Sequence, residues 1–265
     1  MSDDEKRMTF TEHLSELRIR IIHSMIAVVV GALICYACSN TILNWLTAPM
    51  TTQSEWVKHL LASSGSVDPK ATPLNTSMYV FSPLEAGMLK LKVAGYGGLL
   101  VVFPFVLYQI GAFVFPGLKP HEKRAGQFIL FGGGFLAVAG VMVAYFMVLP
   151  FVLPFLASWL PPGWQQQFRA SETLGTIVIL LAGFAIAFQY PMAVLALVYL
   201  DLISPDTLRT YRRPAIVGLT VAAAILTPPD PFSILFLLTP LVILYEGTIW
   251  LSYLMLRKRQ TAPSA

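Results

Sequence analysis

Residues 174–200 read LGTIVILLAGFAIAFQYPMAVLALVYL, a run of 27 residues that contains no charged side chain. A helix that crosses the hydrocarbon core of a bilayer needs about 20 predominantly apolar residues. An apolar run of this length is therefore typical of a transmembrane helix and exceeds what the core of a soluble domain requires. This stretch predicts an all-α membrane protein.

Five further apolar stretches accompany it. The six predicted spans are residues 21–39, 93–116, 128–160, 174–200, 214–227 and 232–256. The fifth would be only ~21 Å long at 1.5 Å per residue, well below the ~30 Å of the hydrocarbon core. Pro150 and Pro154 predict a kink in the third span. We expect a cupped bundle of six transmembrane helices in which helices 5 and 6 are short.

The composition supports a membrane environment. Only 12% of the 265 residues are charged and 56% are hydrophobic, whereas a soluble domain usually carries about 25% charged residues. The net charge of +4 does not indicate nucleic-acid binding, because the charges form short clusters between apolar runs. We predict a single membrane domain over residues 1–265, with an amphipathic N-terminal helix (1–20), an outer loop (46–82) and a cytoplasmic tail (257–265).

The distribution of basic residues predicts the orientation. With six spans, 13 of the 18 Lys and Arg residues lie on the side that holds both chain ends. Cytoplasmic loops carry the excess of Lys and Arg, so both termini are predicted to be cytoplasmic. The polar start of the chain, with no small-residue cleavage site after the first apolar run, predicts that this run is retained as an anchor.

No metal, cofactor or catalytic site is predicted. Cys35 and Cys38 form a C-x-x-C pair within an apolar stretch, and we interpret them as small apolar fillers. The four histidines are scattered, which disfavours a zinc site. Phosphate-binding, nucleophile-elbow and metalloprotease motifs are absent from the sequence, so an enzyme is not expected.

Two acidic residues on the predicted cytoplasmic side are candidate binding groups. Glu16 lies four residues before Arg20, a spacing that also suits a simple ion pair on a solvated helix face. Glu122 is the only acid in a basic loop and could either pair with Lys123 or Arg124 or face an incoming cation. A guanidinium would suit such a carboxylate best, because it can bind both oxygens at once.

Two polar residues fall within predicted spans. Gln189 precedes Tyr190-Pro191 in the fourth span, and Glu246 lies in the sixth. A charged residue at mid-bilayer costs about 2.5–3.5 kcal/mol on insertion scales, so Glu246 should face protein or the interface. A role in helix–helix hydrogen bonding is at least as good an interpretation of both as a ligand role.

Several motifs resemble the TatC family, the large subunit of the twin-arginine protein translocase. They include H-L-x-E-L-R at 13–18, S-P-L-E-A at 82–86, F-V-F-P-G-L at 113–118 and L-T-P-P-D-P at 226–231. The resemblance covers nearly the whole chain. It implies a non-enzymatic receptor in the bacterial cytoplasmic membrane that binds twin-arginine signal peptides and assembles with TatB-like and TatA-like single-span proteins and with other copies of itself.

The resemblance also implies residue roles. Glu16 and Glu122 would hold the two arginines, and Arg18, Phe113, Pro116 and Leu118 would line or shape the same surface. Pro49, Asp230 and Gln189 would serve assembly or transport, and 214–227 would contact the TatB-like subunit. Many relatives have glutamate where this chain has Gln189, so a neutral amide would act there by hydrogen bonding. A small-solute transporter and a membrane scaffold without a receptor role are the alternatives.

Overall fold

The structure is a computed structural model that describes residues 10–51, 78–114, 123–152, 167–227 and 231–261. Helices account for nearly all of these residues. In chain order they are α1 (Phe10–Ala37), α2 (Ser39–Thr51), α3 (Pro83–Val114), α4 (Lys123–Val143), α5 (Ala170–Ala187), α6 (Tyr190–Tyr199), α7 (Pro205–Thr210), α8 (Arg212–Leu226) and α9 (Pro231–Thr261). Two short strands, β1 (Met78–Tyr79) and β2 (Phe168–Arg169), complete the described elements.

The predicted six-span architecture is confirmed. Five helical segments are long and apolar enough to cross a membrane: Thr11–Ala37, Pro83–Phe113, Gly126–Val152, Ala170–Tyr199 and Ser233–Met255. The remaining span is α8, whose 15 residues extend ~22 Å at 1.5 Å per residue. Its shortness agrees with the sequence prediction for the fifth helix.

Three predicted boundaries are corrected. The N-terminal helix predicted for residues 1–20 is not a separate element in its described part, because α1 runs without a break from Phe10 to Ala37. The outer loop expected from residue 46 begins as helix, since α2 continues to Thr51. Helix α9 has 31 residues and extends beyond the apolar stretch, so the expectation of a short sixth helix is wrong.

Prolines explain two irregular spans. The third span widens into a π turn at Ala144–Val148, just before Pro150, which has no N–H to continue the regular ladder. The fourth span bends at residues 188–189, where α5 ends and α6 begins with Pro191 in its first turn. Pro154 lies outside the described residues.

The fourth span is the centre of the fold. Most of the α5 side chains are buried, including Ile177, Leu180 and Phe184, and α5 packs against α3, α4 and α8. Helix α1 is peripheral and packs mainly on α3. At their crossing, a Cβ on Gly98 would lie 2.6 Å from the Ala32 Cα atom and 2.8 Å from the Gly31 carbonyl carbon, so only glycine allows this approach.

A short parallel strand pair joins two parts of the outer side. Met78 pairs with Phe168 and Tyr79 with Arg169. The pair was not predicted, and it places the start of α3 beside the start of α5. Both helices are thereby fixed at their outer ends.

Candidate functional site

One face of α1 meets the end of α3 on the cytoplasmic side. His13, Glu16 and Arg20 recur at a spacing of three and four residues, which places them on one side of the helix. Gln109 and Phe113 are one turn apart on α3 and face them. We call these five residues the inner site.

An aromatic contact lies at the end of the inner site that is formed by the start of α1 and the end of α3. The rings of His13 and Phe113 are stacked, with centroids 4.3 Å apart and planes inclined by 19°. Both side chains are half-buried. The stack joins the start of α1 to the end of α3, on the same side of α1 as Glu16.

An arginine already occupies the carboxylate of the inner site. Arg20 donates from Nε to Oε1 of Glu16 at 3.1 Å, and its Nη2 donates to the same oxygen. The third nitrogen, Nη1, donates to Oε1 of the buried Gln109 at 3.4 Å. The other carboxylate oxygen, Oε2, is buried and has no hydrogen-bond partner among the described residues. Glu16 therefore binds the guanidinium of its own neighbour Arg20 through one oxygen, and its other oxygen has no donor in the described part of the chain.

The structure brings together only part of the predicted binding set. Glu16 and Phe113 belong to the inner site, whereas Arg18 is exposed and lies about 200° around α1 from Glu16. Pro116, Leu118 and Glu122 lie outside the described residues. The predicted Glu16–Arg20 ion pair is present, but the roles assigned to all these residues stay predictions.

Sequence reasoning missed His13 and Gln109 and treated Arg20 only as an ion-pair partner. Their helical spacing, with residues 13, 16 and 20 on one helix face and residues 109 and 113 on another, could have indicated two polar or aromatic faces. What the sequence does not contain is the pairing of these two faces, because it depends on the close crossing of α1 and α3 at Gly98.

The residues predicted to serve assembly are described only in part. Gln189 donates from Nε2 to the carbonyl oxygen of Gly133 at 3.0 Å and to that of Ala185 at 3.4 Å, so its amide joins α4 to the bend of the fourth span. Pro49 lies in α2, but its side chain is outside the description. Asp230 is likewise outside the described residues.

The acid in the sixth span faces protein, as expected. Glu246 accepts a hydrogen bond from Nη2 of Arg212 at 2.7 Å. One residue earlier, the Tyr245 hydroxyl donates to the carbonyl oxygen of Leu208 at 2.6 Å. These contacts connect α9 to the cytoplasmic ends of α7 and α8.

A second buried carboxylate, that of Glu85, lies with its hydrogen-bond donors on the outer side. Glu85 accepts hydrogen bonds at Oε1 from Nε of Arg169 at 2.9 Å and from the Ser171 hydroxyl. Its Oε2 accepts the backbone N–H of Phe81 at 3.0 Å. We call Glu85 with these three partners the outer clamp. The hydrogen bond to Glu85 and the charge of this carboxylate raise the pKa of Arg169.

No group of three His, Cys, Asp or Glu side chains in the described ranges could hold a metal ion. Cys35 is buried and Cys38 is exposed, and both are free thiols. Cys35 packs against Gly97, in agreement with the interpretation of a small filler at the α1–α3 contact.

Comparisons with known proteins give a consistent result. Residues 12–240 match the model of the family described as Sec-independent protein translocase protein (TatC). A TatC from Deinococcus radiodurans is 34% identical over 242 residues, covering 91% of this chain and 84% of the relative. The chloroplastic TATC of Arabidopsis thaliana is 34% identical over 249 residues, covering 94% of this chain and 67% of the relative.

A solved structure agrees with the fold. A crystal structure of the twin-arginine translocase receptor TatC superposes with a TM-score of 0.71 at 31% sequence identity. The match covers 92% of this chain and 99% of the other.

Proposed function

The chain belongs to the TatC family, and we propose on this premise that its inner site binds the paired arginines of precursor signal peptides. As a family member it is a multi-pass membrane protein and a non-enzymatic receptor subunit of the twin-arginine translocase. The proposal concerns where and how this chain would recognise its cargo.

One observation carries the proposal: the inner site already holds a guanidinium. Glu16 supplies a carboxylate and Gln109 an amide oxygen, and both accept from Arg20. The groups are partly buried, so their charges are less screened than on an open surface. The adjoining His13–Phe113 stack offers the apolar surface on which a second guanidinium plane or an apolar peptide residue could pack.

The second carboxylate of the proposal is Glu122. It immediately precedes Lys123, the first residue of α4, and lies nine positions after Phe113 in the sequence. Both ends of this connection are on the cytoplasmic side of the predicted topology. Glu122 would take the second arginine, and Pro116 and Leu118 would shape the loop between them.

Peptide capture tests this assignment. We would reconstitute the chain in lipid nanodiscs and compare photocrosslinking of a signal peptide that carries Arg-Arg with one that carries Lys-Lys. Glu16→Gln and Glu122→Gln should each weaken capture of the Arg-Arg peptide roughly tenfold or more, because each loses hydrogen bonds between charged groups.

The matched control is Glu172→Gln, the same change at an exposed position on the outer side. It should capture the Arg-Arg peptide as the wild type does. If Glu16→Gln and Glu122→Gln also behave as the wild type, the chain is a scaffold without this receptor site, and the proposal fails.

We also propose that α8 contacts a single-span TatB-like partner, with TatA-like proteins and further copies of this chain joining the assembly. Val217, Val221 and Ile225 form an exposed apolar stripe along this short helix, and a β-branched stripe suits packing of one more membrane helix. A photoreactive residue at 225 should crosslink to the partner when the two are co-expressed, whereas one at the equally exposed Phe131 on α4 should not. The bacterial cytoplasmic membrane is the proposed location.

A further inference from the structure

We infer that Arg20 is an internal competitor, which occupies Glu16 in the resting protein and must leave when a signal-peptide arginine binds. The inference rests on the proposed function of the inner site and adds its regulation. Both concern the carboxylate of Glu16. The proposed function predicts that substitution of Glu16 weakens peptide binding, whereas this inference predicts that substitution of Arg20 strengthens it.

The first step is the accessibility of Glu16. Its Oε1 is covered by two nitrogens of Arg20, and its Oε2 is buried. The side chains of Glu16 and Arg20 are only 19% and 23% exposed. A peptide guanidinium therefore cannot reach either oxygen in this arrangement, and the site opens only when Arg20 moves.

The second step is the unpaired oxygen. A buried carboxylate oxygen without a donor is costly, since it loses its water and gains nothing in return. Arg20 cannot remedy this, because both of its bonds to Glu16 converge on Oε1. An incoming guanidinium that approaches side-on would bond both oxygens in parallel. The resting pair is thus incomplete in a way that a ligand arginine can complete.

The third step is the destination of Arg20. Its Nη1 is already 3.4 Å from Oε1 of Gln109 on α3, so the side chain has a second acceptor within reach when it releases Glu16. The exchange replaces one guanidinium by another at the same carboxylate. The cost of opening is then the loss of one partly buried ion pair rather than the exposure of an unpaired charge.

The consequence is a definite linkage relation. If only the open form binds peptide, the apparent dissociation constant equals the intrinsic constant divided by the fraction of open protein. Removal of Arg20 raises that fraction for every peptide alike. Affinities for Arg-Arg and Lys-Lys peptides should therefore rise by the same factor, and the ratio between them should not change.

The test is a binding titration of nanodisc-reconstituted chain with fluorescent signal peptides of both kinds. Arg20→Gln should bind each peptide about two- to fivefold more tightly, the range expected for loss of one partly exposed ion pair. Arg20→Lys, which keeps the charge but forms fewer bonds, should fall between it and the wild type and also decides the question if Arg20→Gln does not fold. Arg213→Gln, the same charge change at an exposed cytoplasmic position, is the control for non-specific electrostatics.

The outcomes separate this inference from the proposed function. Unchanged or weaker binding by Arg20→Gln and Arg20→Lys, or a gain confined to the Arg-Arg peptide, would overturn the competitor role and indicate that Arg20 positions Glu16 or contacts the peptide. A gain equal to that of Arg213→Gln would overturn it as well. The proposed function fails on a different result, namely tight Arg-Arg binding by Glu16→Gln.

Discussion

The inner site and the outer clamp each contain one partly or fully buried glutamate paired with arginine, yet the two carboxylates are satisfied differently. Glu85 uses both oxygens, with Arg169 and Ser171 at one and the Phe81 N–H at the other. Glu16 uses one oxygen, and the other is buried and has no donor among the residues that the structure describes. The Glu–Arg pair thus has hydrogen bonds at both carboxylate oxygens in the outer clamp and at only one in the inner site.

The difference separates a structural role from an exchangeable one. Phe81 lies just before α3, whereas Arg169 and Ser171 lie where β2 runs into α5, so the bonds of Glu85 fasten the start of α3 to β2 and α5. The ion-pair partner of Glu16 comes from the next turn of its own helix, so releasing it detaches no other element. A fully satisfied network makes the structure rigid, whereas a partly satisfied one carries the cost of an unpaired buried group; on the proposed function, a ligand arginine would remove that cost.

The largest expected effect comes from disrupting the helix pair that carries the inner site. Gly98→Ala places a methyl group against the backbone of α1, 2.6 Å from the Ala32 Cα, and should destabilise the α1–α3 contact by about 1–3 kcal/mol. The variant should lose binding of the Arg-Arg peptide while the outer clamp persists. Thermal unfolding and peptide titration measure the two effects.

Gly95→Ala is the matched control for this substitution. It lies on the same helix, and an added Cβ would meet nothing within 4 Å, so stability and binding should match or slightly exceed those of the wild type. Equal behaviour of the two alanine variants would show that the close crossing of α1 and α3 does not hold the inner site.

The second prediction tests the structural role of the outer clamp. Glu85→Gln removes the charge that Arg169 and Ser171 share and should lower the thermal midpoint by roughly 5 °C. Glu172→Gln removes the other acid bonded to Arg169, but this side chain is 72% exposed, so its midpoint should hardly change. A midpoint for Glu85→Gln as high as that of Glu172→Gln would contradict the clamp.

The smallest effect concerns a neutral group within the membrane. Gln189→Met keeps the length of the side chain but removes the donor to the Gly133 and Ala185 carbonyls. It should cost about 0.6–1 kcal/mol in unfolding free energy, the usual value for one hydrogen bond in a membrane protein. Gln189→Glu should cost more, because it loses the same donor and also places a negative charge against these carbonyl oxygens within the membrane. A Gln189→Glu variant as stable as the wild type would exclude the donor role.

Much of the fold was readable from the sequence because bilayer thickness imposes a simple length rule on apolar runs. The 174–200 stretch and its five companions sufficed for the six spans, and even the short fifth helix was recognisable from 214–227. Helix ends were less predictable. The helices α1, α3 and α9 all continue beyond their apolar stretches, because a helix that leaves the membrane keeps its hydrogen bonds as long as no residue interrupts them.

The sites were less accessible to prediction than the spans. Glu16 could be predicted as a candidate because its acidic side chain and its spacing to Arg20 are local features of the sequence. Gln109 reaches Arg20 across 89 residues and Arg169 reaches Glu85 across 84. Contacts of this kind depend on helix packing, which the one-dimensional apolar pattern does not encode.

The most direct test of the central claim is a double-mutant cycle between the receptor and the peptide. The preference for Arg-Arg over Lys-Lys peptide would be measured for the wild type, Glu16→Gln and Glu85→Gln, each normalised to the amount of folded protein. If Glu16 recognises the arginine pair and Glu85 is structural, the preference falls roughly tenfold in Glu16→Gln and is unchanged in Glu85→Gln. An undiminished preference in Glu16→Gln, or an equal fall in both variants, would contradict the account.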